Sequence, residues 1–130
     1  TMSPVSGPSA GLAIGIAMLS AFTKAKVDPY VVMTGAITAR GEVWPVGGLD
    51  YRGMGKVEAA LADKYAKKFI MPQYNYEHIG DLGVDKMMQD RAIDLVPVQS
   101  FLDAASQALI GMKNKDDVMK LIEADPAQES

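Results

Sequence analysis

The sequence lacks cysteine entirely and has a single histidine, His78, among its 130 residues. A chain without cysteine forms no disulfide, zinc finger or iron–sulfur site, and it carries no thiol nucleophile. One histidine cannot make a cluster of imidazole ligands within a single chain. We therefore expect no metal site here.

A basic surplus and a long apolar run are missing as well. Thirteen Lys and Arg residues stand against sixteen Asp and Glu residues, a formal net charge of −3. Proteins that bind duplex nucleic acid or an anionic membrane surface usually carry excess positive charge, so we expect neither partner. The longest apolar stretch, residues 11–22, is too short to span a bilayer, and no basic segment of a signal peptide precedes it. The sequence says almost nothing else about a compartment, and the cytoplasm is the expectation.

What is present indicates one globular domain, with 48% hydrophobic and 22% charged residues. From Ser9 to Phe22 the residues are good helix formers and are apolar on nearly every side, which predicts a buried helix. Lys24 and Lys26 would give this helix a basic last turn.

The rest of the chain alternates between strand and helix patterns, so the predicted fold class is mixed α/β (α+β). The expected elements are a strand at 29–34, a β-hairpin at 37–46, a helix at 54–67, a strand at 68–72, one or two short surface helices within 74–90, a strand at 93–98, a helix at 101–110 capped by Ser100, and an amphipathic helix within 113–123.

A serine at the junction between loop and helix is the first candidate for chemistry. Ser9 lies in the run Gly-Pro-Ser-Ala-Gly at residues 7–11. Backbone N–H groups in the first turn of a helix are unpaired and can stabilise an oxyanion, a position that suits a nucleophile. Two alternatives remain: Ser9 caps the helix, or the glycines form a phosphate cradle. Neither a Walker motif nor Gly-x-Gly-x-x-Gly is present, which weakens the phosphate alternative.

A nucleophilic serine needs a base, and the sequence offers three basic side chains as candidates. His78 lies in a polar segment where a solvated histidine is expected. Arg52 keeps its proton under all protein conditions and cannot accept one from serine. Lys56 can act as a base if burial lowers its pKa, although a lysine at the start of a helix is more often a surface charge.

Two long runs give the sequence a resemblance to the proteolytic domain of the Lon protease family. The first is the run around Ser9, and the second, MTGAITARGEVWPVGGL, extends from Met33 to Leu49. The similarity covers about residues 5–110. It implies the fold of the C-terminal part of that domain, with residues 1–112 in the proteolytic domain and 113–130 as a charged helix and tail.

The resemblance also implies the site. Ser9 would be the nucleophile and Lys56 the base of a serine–lysine dyad, with Thr34 hydrogen-bonding near the lysine amine. Backbone groups of the loop at Pro8 and Ala10 would form the oxyanion site. The implied activity is that of a serine endopeptidase that needs no cofactor in this chain.

The sequence departs from the family pattern at several positions. Most members have the catalytic lysine at the position of Arg52, whereas here Lys56 carries the following x-x-Ala-Ala signature, which implies a four-residue insertion. Ser6 and Ala36 replace family acids. The alternative function is therefore a catalytically degenerate assembly or interaction module with Arg52 in place of the base.

The resemblance finally implies partners. These are polypeptide substrates and further copies of the chain in a ring, with a hexamer as the expected form. The family has a β-rich portion ahead of the serine motif, and this chain begins eight residues before Ser9. The chain is therefore expected to be a piece of a cleaved precursor, or a fragment, whose N-terminal segment lies elsewhere.

Overall fold

A computed structural model of the chain describes residues 10–45, 60–79 and 83–124. The helices whose first and last residues both lie in these ranges are α1 (Gly11–Thr23), α2 (Gln73–Ile79), α3 (Val84–Asp90), α4 (Phe101–Ala108) and α5 (Lys115–Glu123). The strands are β1 (Val31–Met33), β2 (Ala36–Ile37), β3 (Val43–Trp44), β4 (Lys68–Pro72) and β5 (Asp94–Val98). The predicted mixed α/β class is confirmed.

The principal sheet has three parallel strands in the order β1-β4-β5. Val32 pairs with Phe69, and Phe69 pairs with Leu95. Because all three strands run the same way, their carboxyl ends meet at one edge. β2 and β3 form a separate antiparallel hairpin, as predicted, and Ala36 lies opposite Trp44.

Alternation along β4 divides the core into two apolar layers, one on each face of the sheet. Ile70 faces a layer that includes Leu12 and Ile16 of α1 and the alanines of α4. Phe69 and Met71 face the other layer, whose further buried members are Ala60, Ala66, Val84, Met88 and Ile93. The strand reads as a nearly continuous apolar run because both of its faces are covered.

The expected burial of α1 on nearly every side is wrong for this chain. Leu12 and Ile16 are buried, but Ile14, Met18 and Phe22 are each more than half exposed. Only one side of the helix packs inward, against β2 and α4. The helix ends at Thr23 with Lys24 in a left-handed conformation, so the expected basic last turn is also wrong.

The helix predicted over residues 54–67 is described only at residues 60–62, where it ends. The Asp63 carboxylate accepts a hydrogen bond from the backbone N–H of Tyr65 at 2.9 Å, which closes a turn directly after the helix. Tyr65 is 61% exposed rather than part of a buried helix face. The helical spacing therefore extended the prediction five residues too far.

The C-terminal elements match their predictions closely. The Ser100 hydroxyl caps α4 by accepting a hydrogen bond from the Asp103 N–H at 3.1 Å. The expected amphipathic helix is α5, and its Val118 is fully buried in the core layer that α4 shares. A boundary at residue 112 between a domain and a tail stays a prediction. Over the described ranges, no helix is long and apolar enough to cross a membrane.

Candidate active site

Thr34, the residue that follows β1, carries a buried hydroxyl that has no hydrogen-bond partner among the described residues. Its backbone N–H donates to the carbonyl oxygen of Ile70 at 3.0 Å, which continues the parallel pairing one residue past β1. The residue is 0% exposed, and none of the described residues forms a hydrogen bond with its Oγ1. Leaving a buried hydroxyl unpaired costs about 1–3 kcal/mol. Such a group is conspicuous because buried polar atoms are nearly always hydrogen-bonded.

The start of α1 lies directly against the segment after Thr34. The backbone N–H of Leu12 donates to the carbonyl oxygen of Gly35 at 2.9 Å. Gly11 approaches so closely that a Cβ added there would lie 3.4 Å from the backbone nitrogen of Ile37 and 3.7 Å from the Cα of Ala36. The first turn of the helix and the Thr34–Ile37 segment therefore pack directly against each other.

The N-cap residue of α1 provides no side-chain cap. Ala10 is the N-cap residue, and its methyl group cannot accept a hydrogen bond from the first turn. No acidic side chain lies in that turn either. The N–H of Leu12 is already taken by Gly35, so any oxyanion here would need the N–H groups that precede it in the chain.

The structure describes two of the five predicted site residues, Thr34 and Ala10, and brings both to this end of α1. The other three, Ser9, Lys56 and Pro8, lie outside the described residues. Arg52, the competing occupant of the base position, also lies outside them.

The two loop residues of the predicted oxyanion site, Pro8 and Ala10, can contribute in different ways. Proline has no backbone N–H, so Pro8 can shape the loop but cannot donate a hydrogen bond to an oxyanion. Ala10 retains an N–H and can donate. Of the two loop residues, only Ala10 is therefore a possible donor.

Other chemistries gain no support from the described residues. His78 is exposed on α2, as expected for a surface histidine, and its ring contacts that of Tyr74 with centroids 4.4 Å apart and the planes tilted by 60°. Across the described ranges, no group of three or more His, Asp or Glu side chains is placed to hold a metal ion. The residues at 34–37 that contact the start of α1 include no cation that would balance a phosphate.

A polar cavity that the sequence did not predict lies at the edge where the carboxyl ends of the parallel strands meet. Gln73 follows β4 and Gln99 follows β5, and both line an open cavity of about 230 Å³ with Asp103, Ser106 and Gln107 of α4. Ligands of parallel sheets are commonly bound at the carboxyl ends of the strands. A glutamine directly after each of two predicted strands was the signal in the sequence.

Comparisons with known proteins agree on one family. The family model of the Lon protease (S16) C-terminal proteolytic domain matches residues 2–111. The archaeal Lon protease of Methanothermobacter thermautotrophicus is 36% identical over 116 residues, which are 89% of this chain and 16% of that protein. The archaeal Lon protease of Thermoplasma volcanium is 34% identical over 94% of this chain and 17% of its own length. The Lon protease of Trichlorobacter lovleyi is 37% identical over 82% of this chain and 12% of its own length. The chain thus spans less than a fifth of the length of these relatives.

Proposed function

This chain belongs to the family of Lon protease (S16) C-terminal proteolytic domains, and from that membership we propose that it is a serine endopeptidase that hydrolyses peptide bonds in polypeptides. Ser9 is the nucleophile and Lys56 the base. Thr34 positions the lysine amine. The chemistry requires no cofactor.

The proposed reaction proceeds through an acyl-enzyme. Lys56, in its neutral form, accepts the hydroxyl proton as the Ser9 oxygen attacks the peptide carbonyl carbon. Backbone N–H groups at the start of α1, including that of Ala10, stabilise the oxyanion that forms. The C–N bond then breaks, and the lysine ammonium protonates the leaving amine. In the second half, water attacks the ester carbon and gives a proton to Lys56. The ester C–O bond then breaks, the lysine ammonium returns the proton to the Ser9 oxygen, and the carboxylic acid product leaves.

The hydroxyl of Thr34, which has no partner within the part of the chain that the structure describes, is the observation that carries the proposal. It is fully buried, and its neighbour Gly35 is hydrogen-bonded to the first turn of the helix that Ser9 precedes in the chain. A hydroxyl at such a place is suited to accept a hydrogen bond from a lysine amine. The cost of leaving it unpaired is offset if that amine is its partner.

Polypeptide substrates and a homo-oligomeric ring are part of the same proposal. The oligomer is supported by the apolar side of α1, where Ile14, Met18 and Phe22 are exposed within a single chain. Exposed apolar patches of this kind mark contact surfaces. Sedimentation of the chain at several concentrations tests this part, because a stable monomer at all concentrations contradicts it.

Peptide hydrolysis by matched variants tests the catalytic assignment. Ser9→Ala and Lys56→Gln should each lower kcat/KM for an unfolded polypeptide by at least ~100-fold. Arg52→Gln and the surface control Lys86→Gln should retain activity. A serine-directed phosphonate should label the wild type and fail to label Ser9→Ala. If Arg52→Gln abolishes activity while Lys56→Gln retains it, the base is misassigned. If the wild type neither cleaves nor is labelled, the proposal fails for this chain on its own, and either the family's N-terminal portion is required or the chain is the degenerate assembly module with Arg52 at the base position.

A further inference from the structure

The polar cavity between β5 and α4 takes no part in the chemistry proposed above. Residues 96–99 line it on the side of the strand, and Asp103, Ser106 and Gln107 line it on the side of the helix. Gln73, which follows β4, completes the lining. The cavity is open to solvent and has a volume of about 230 Å³. We call it the α4 cavity and ask which chemical groups its lining can bind.

Two of the lining glutamines have their amide groups oriented by charged neighbours. The Lys68 Nζ lies 3.2 Å from both the backbone oxygen and the Oε1 of Gln107. The Nε2 of Gln73 donates to the Glu77 Oε1 at 3.2 Å. An ammonium group only donates hydrogen bonds and a carboxylate only accepts them, so both amide orientations are fixed by chemistry. Among the described residues, this leaves the Gln73 Oε1 as an acceptor and the Gln107 Nε2 as a donor.

The remaining polar groups on α4 are acceptors. The Ser106 hydroxyl is almost fully buried and donates its only proton to the backbone oxygen of Asp103 at 2.7 Å. Its two lone pairs can still accept. The Asp103 carboxylate accepts no hydrogen bond from the part of the chain that the structure describes. The helix side of the cavity is therefore suited to a ligand group that carries several N–H donors.

The charges around the cavity favour a positive ligand. Asp103 is in the lining, Glu77 is bonded to Gln73, and Lys68 is bonded to Gln107. Two carboxylates against one ammonium leave an excess of negative charge, and Asp103 is the charged member of the lining. Hydrogen bonds between a cation and a carboxylate are roughly twice as strong as those between neutral groups. An ammonium or guanidinium group combines the donors and the charge that this lining requires.

The strand side of the cavity suits the rest of such a ligand. Val96, Pro97 and Val98 line it with apolar side chains. Lysine and arginine side chains lay their methylene stems along apolar surface and keep the charged group in a polar environment. A cavity with one apolar side and one side of acceptors matches this division. The lining therefore fits a long basic side chain better than a small cation.

Backbone contacts relate the cavity to the candidate active site. A Cβ on Gly11, in the first turn of α1, would lie 3.4 Å from the backbone nitrogen of Ile37. Ile37 pairs with Val43, whose N–H donates to the carbonyl oxygen of Gln99 at 2.9 Å. Neighbouring strands are roughly 4.8 Å apart, so two spacings, about 10 Å, separate the first turn of α1 from Gln99 in the cavity lining. An extended peptide covers about 3.3 Å per residue and needs three or more residues for that distance.

We propose that the α4 cavity binds the side chain of a lysine or arginine of the polypeptide substrate, with its cationic group on the Asp103 carboxylate. The Ser106 Oγ and the Gln73 Oε1 accept further N–H groups of the same cation, and residues 96–98 contact its methylene stem. The inference rests on the proposed peptidase function. It adds to that function a preference for a basic residue three or more positions from the cleaved bond.

Peptide binding to the full chain tests the cavity without requiring turnover. The probes are alanine- and serine-based decapeptides with uncharged ends and an uncharged fluorophore, and they contain one central lysine or one central norleucine. Norleucine has the stem of lysine without the ammonium group. Fluorescence anisotropy with Ser9→Ala should show about 5- to 10-fold tighter binding of the lysine peptide. The difference should shrink as the salt concentration rises from about 0.05 M to about 0.5 M, because salt screens the charge pair.

Variants of Asp103 assign the effect to the cavity. Asp103→Asn keeps the shape, removes the charge and should abolish most of the preference for lysine. Asp116 supplies the matched control, because it is likewise an acidic residue in the first turn of a helix but is not in the lining. Asp116→Asn should leave the preference unchanged. Asp103→Lys should reverse it, so that a peptide with a central glutamate binds more tightly than the lysine peptide. Urea unfolding of each variant establishes that it is folded.

Cleavage by the wild type tests the role in substrate selection. The lysine is moved along the peptide one position at a time, and kcat/KM is compared with that of the norleucine peptide. It should rise about 5- to 10-fold when the lysine lies three or more residues from the cleaved bond. Equal kcat/KM at every position, equal binding of the two peptides, or an unchanged preference in Asp103→Asn overturns the inference and leaves the peptidase proposal intact. A lysine preference in binding, without cleavage or phosphonate labelling, overturns the peptidase function and keeps the cavity as a site for basic side chains.

Discussion

The backbone N–H of Leu12 donates to the carbonyl oxygen of Gly35 at 2.9 Å. This bond uses one of the helix N–H groups that have no intrahelical partner, and it joins α1 to the connection between β1 and β2. Gly35 is held at the end of the parallel sheet, since the preceding residue Thr34 is itself bonded to Ile70. The contact explains how motifs more than twenty residues apart in sequence meet at one end of the fold.

Replacing Thr34 separates a role in positioning from a role in packing. Thr34→Val removes the buried hydroxyl and keeps the shape, so the free energy of unfolding should change by no more than about 1 kcal/mol. The rate of peptide hydrolysis should nevertheless fall, and Thr34→Ser, which retains the hydroxyl, should restore most of it. Urea unfolding and kcat measure the two effects. Full activity in Thr34→Val contradicts the positioning role.

Gly35 should not tolerate a side chain. Its φ of +155° lies in a region that L residues rarely adopt, and an added Cβ would lie 3.1 Å from Cγ1 of Val43 and 3.3 Å from Cδ2 of Leu12. We expect Gly35→Ala to lower the free energy of unfolding by about 2–3 kcal/mol. Gly41 is the control, since its φ is +80° but nothing lies within 4 Å of an added Cβ. Gly41→Ala should cost only about 1 kcal/mol, and equal costs at the two positions would refute the packing argument.

The packing of α1 on α4 depends on a second glycine. A Cβ on Gly15 would lie 2.9 Å from Cε1 of Phe101 and 3.0 Å from Cδ1 of Ile37. Gly15→Ala gains about 1 kcal/mol in helix propensity but loses about 1–3 kcal/mol to overpacking, so a net loss of stability is expected. Phe101→Leu combined with Gly15→Ala should cost less than the sum of the two single changes. Thermal unfolding of the four proteins measures this coupling, and strict additivity would disprove the contact.

Replacing the N-cap residues of the last two helices should lower stability more with alanine than with glycine. The Ser100 hydroxyl and the Asn114 side-chain oxygen each accept a backbone N–H three residues later, both at 3.1 Å. Ser100→Ala and Asn114→Ala should each lower the free energy of unfolding by about 1 kcal/mol, whereas glycine at either position should cost only a few tenths. Urea denaturation with the alanine and glycine variants side by side checks both. Alanine variants as stable as the glycine ones would contradict the capping role.

Local patterns in the sequence predicted most elements because the responsible interactions are local. β4 lies at Lys68–Pro72 as expected, because a short and nearly continuous apolar run is typical of a strand with both faces buried. Ser100 caps α4 because a serine before an apolar helix can satisfy an N–H of its first turn without help from elsewhere.

Predictions failed where distant contacts decide. The apolar residues of α1 predicted burial on nearly every side, but within this chain only the side facing β2 and α4 is covered, and Phe22 remains exposed. The prediction for the helix that ends at residue 62 failed for a local reason instead, because its apolar spacing continues past the turn that Asp63 closes. Composition shows which residues tend to be buried, but it does not show which other elements of the fold lie where they can cover them.

For the candidate site, the sequence by itself determined the residue types: a serine before an apolar helix, a lysine able to act as a base, and a family motif that contains Thr34. Only the tertiary structure decided that Thr34 is fully buried without a partner among the described residues and that Gly35 bonds to the first turn of α1. These two facts depend on the parallel register of β1 and β4 and on the pairing of β2 with β3. The register of β1 against β4 joins segments far apart in the chain, so no local pattern encodes it, whereas the β2–β3 hairpin is local and was predicted from the sequence.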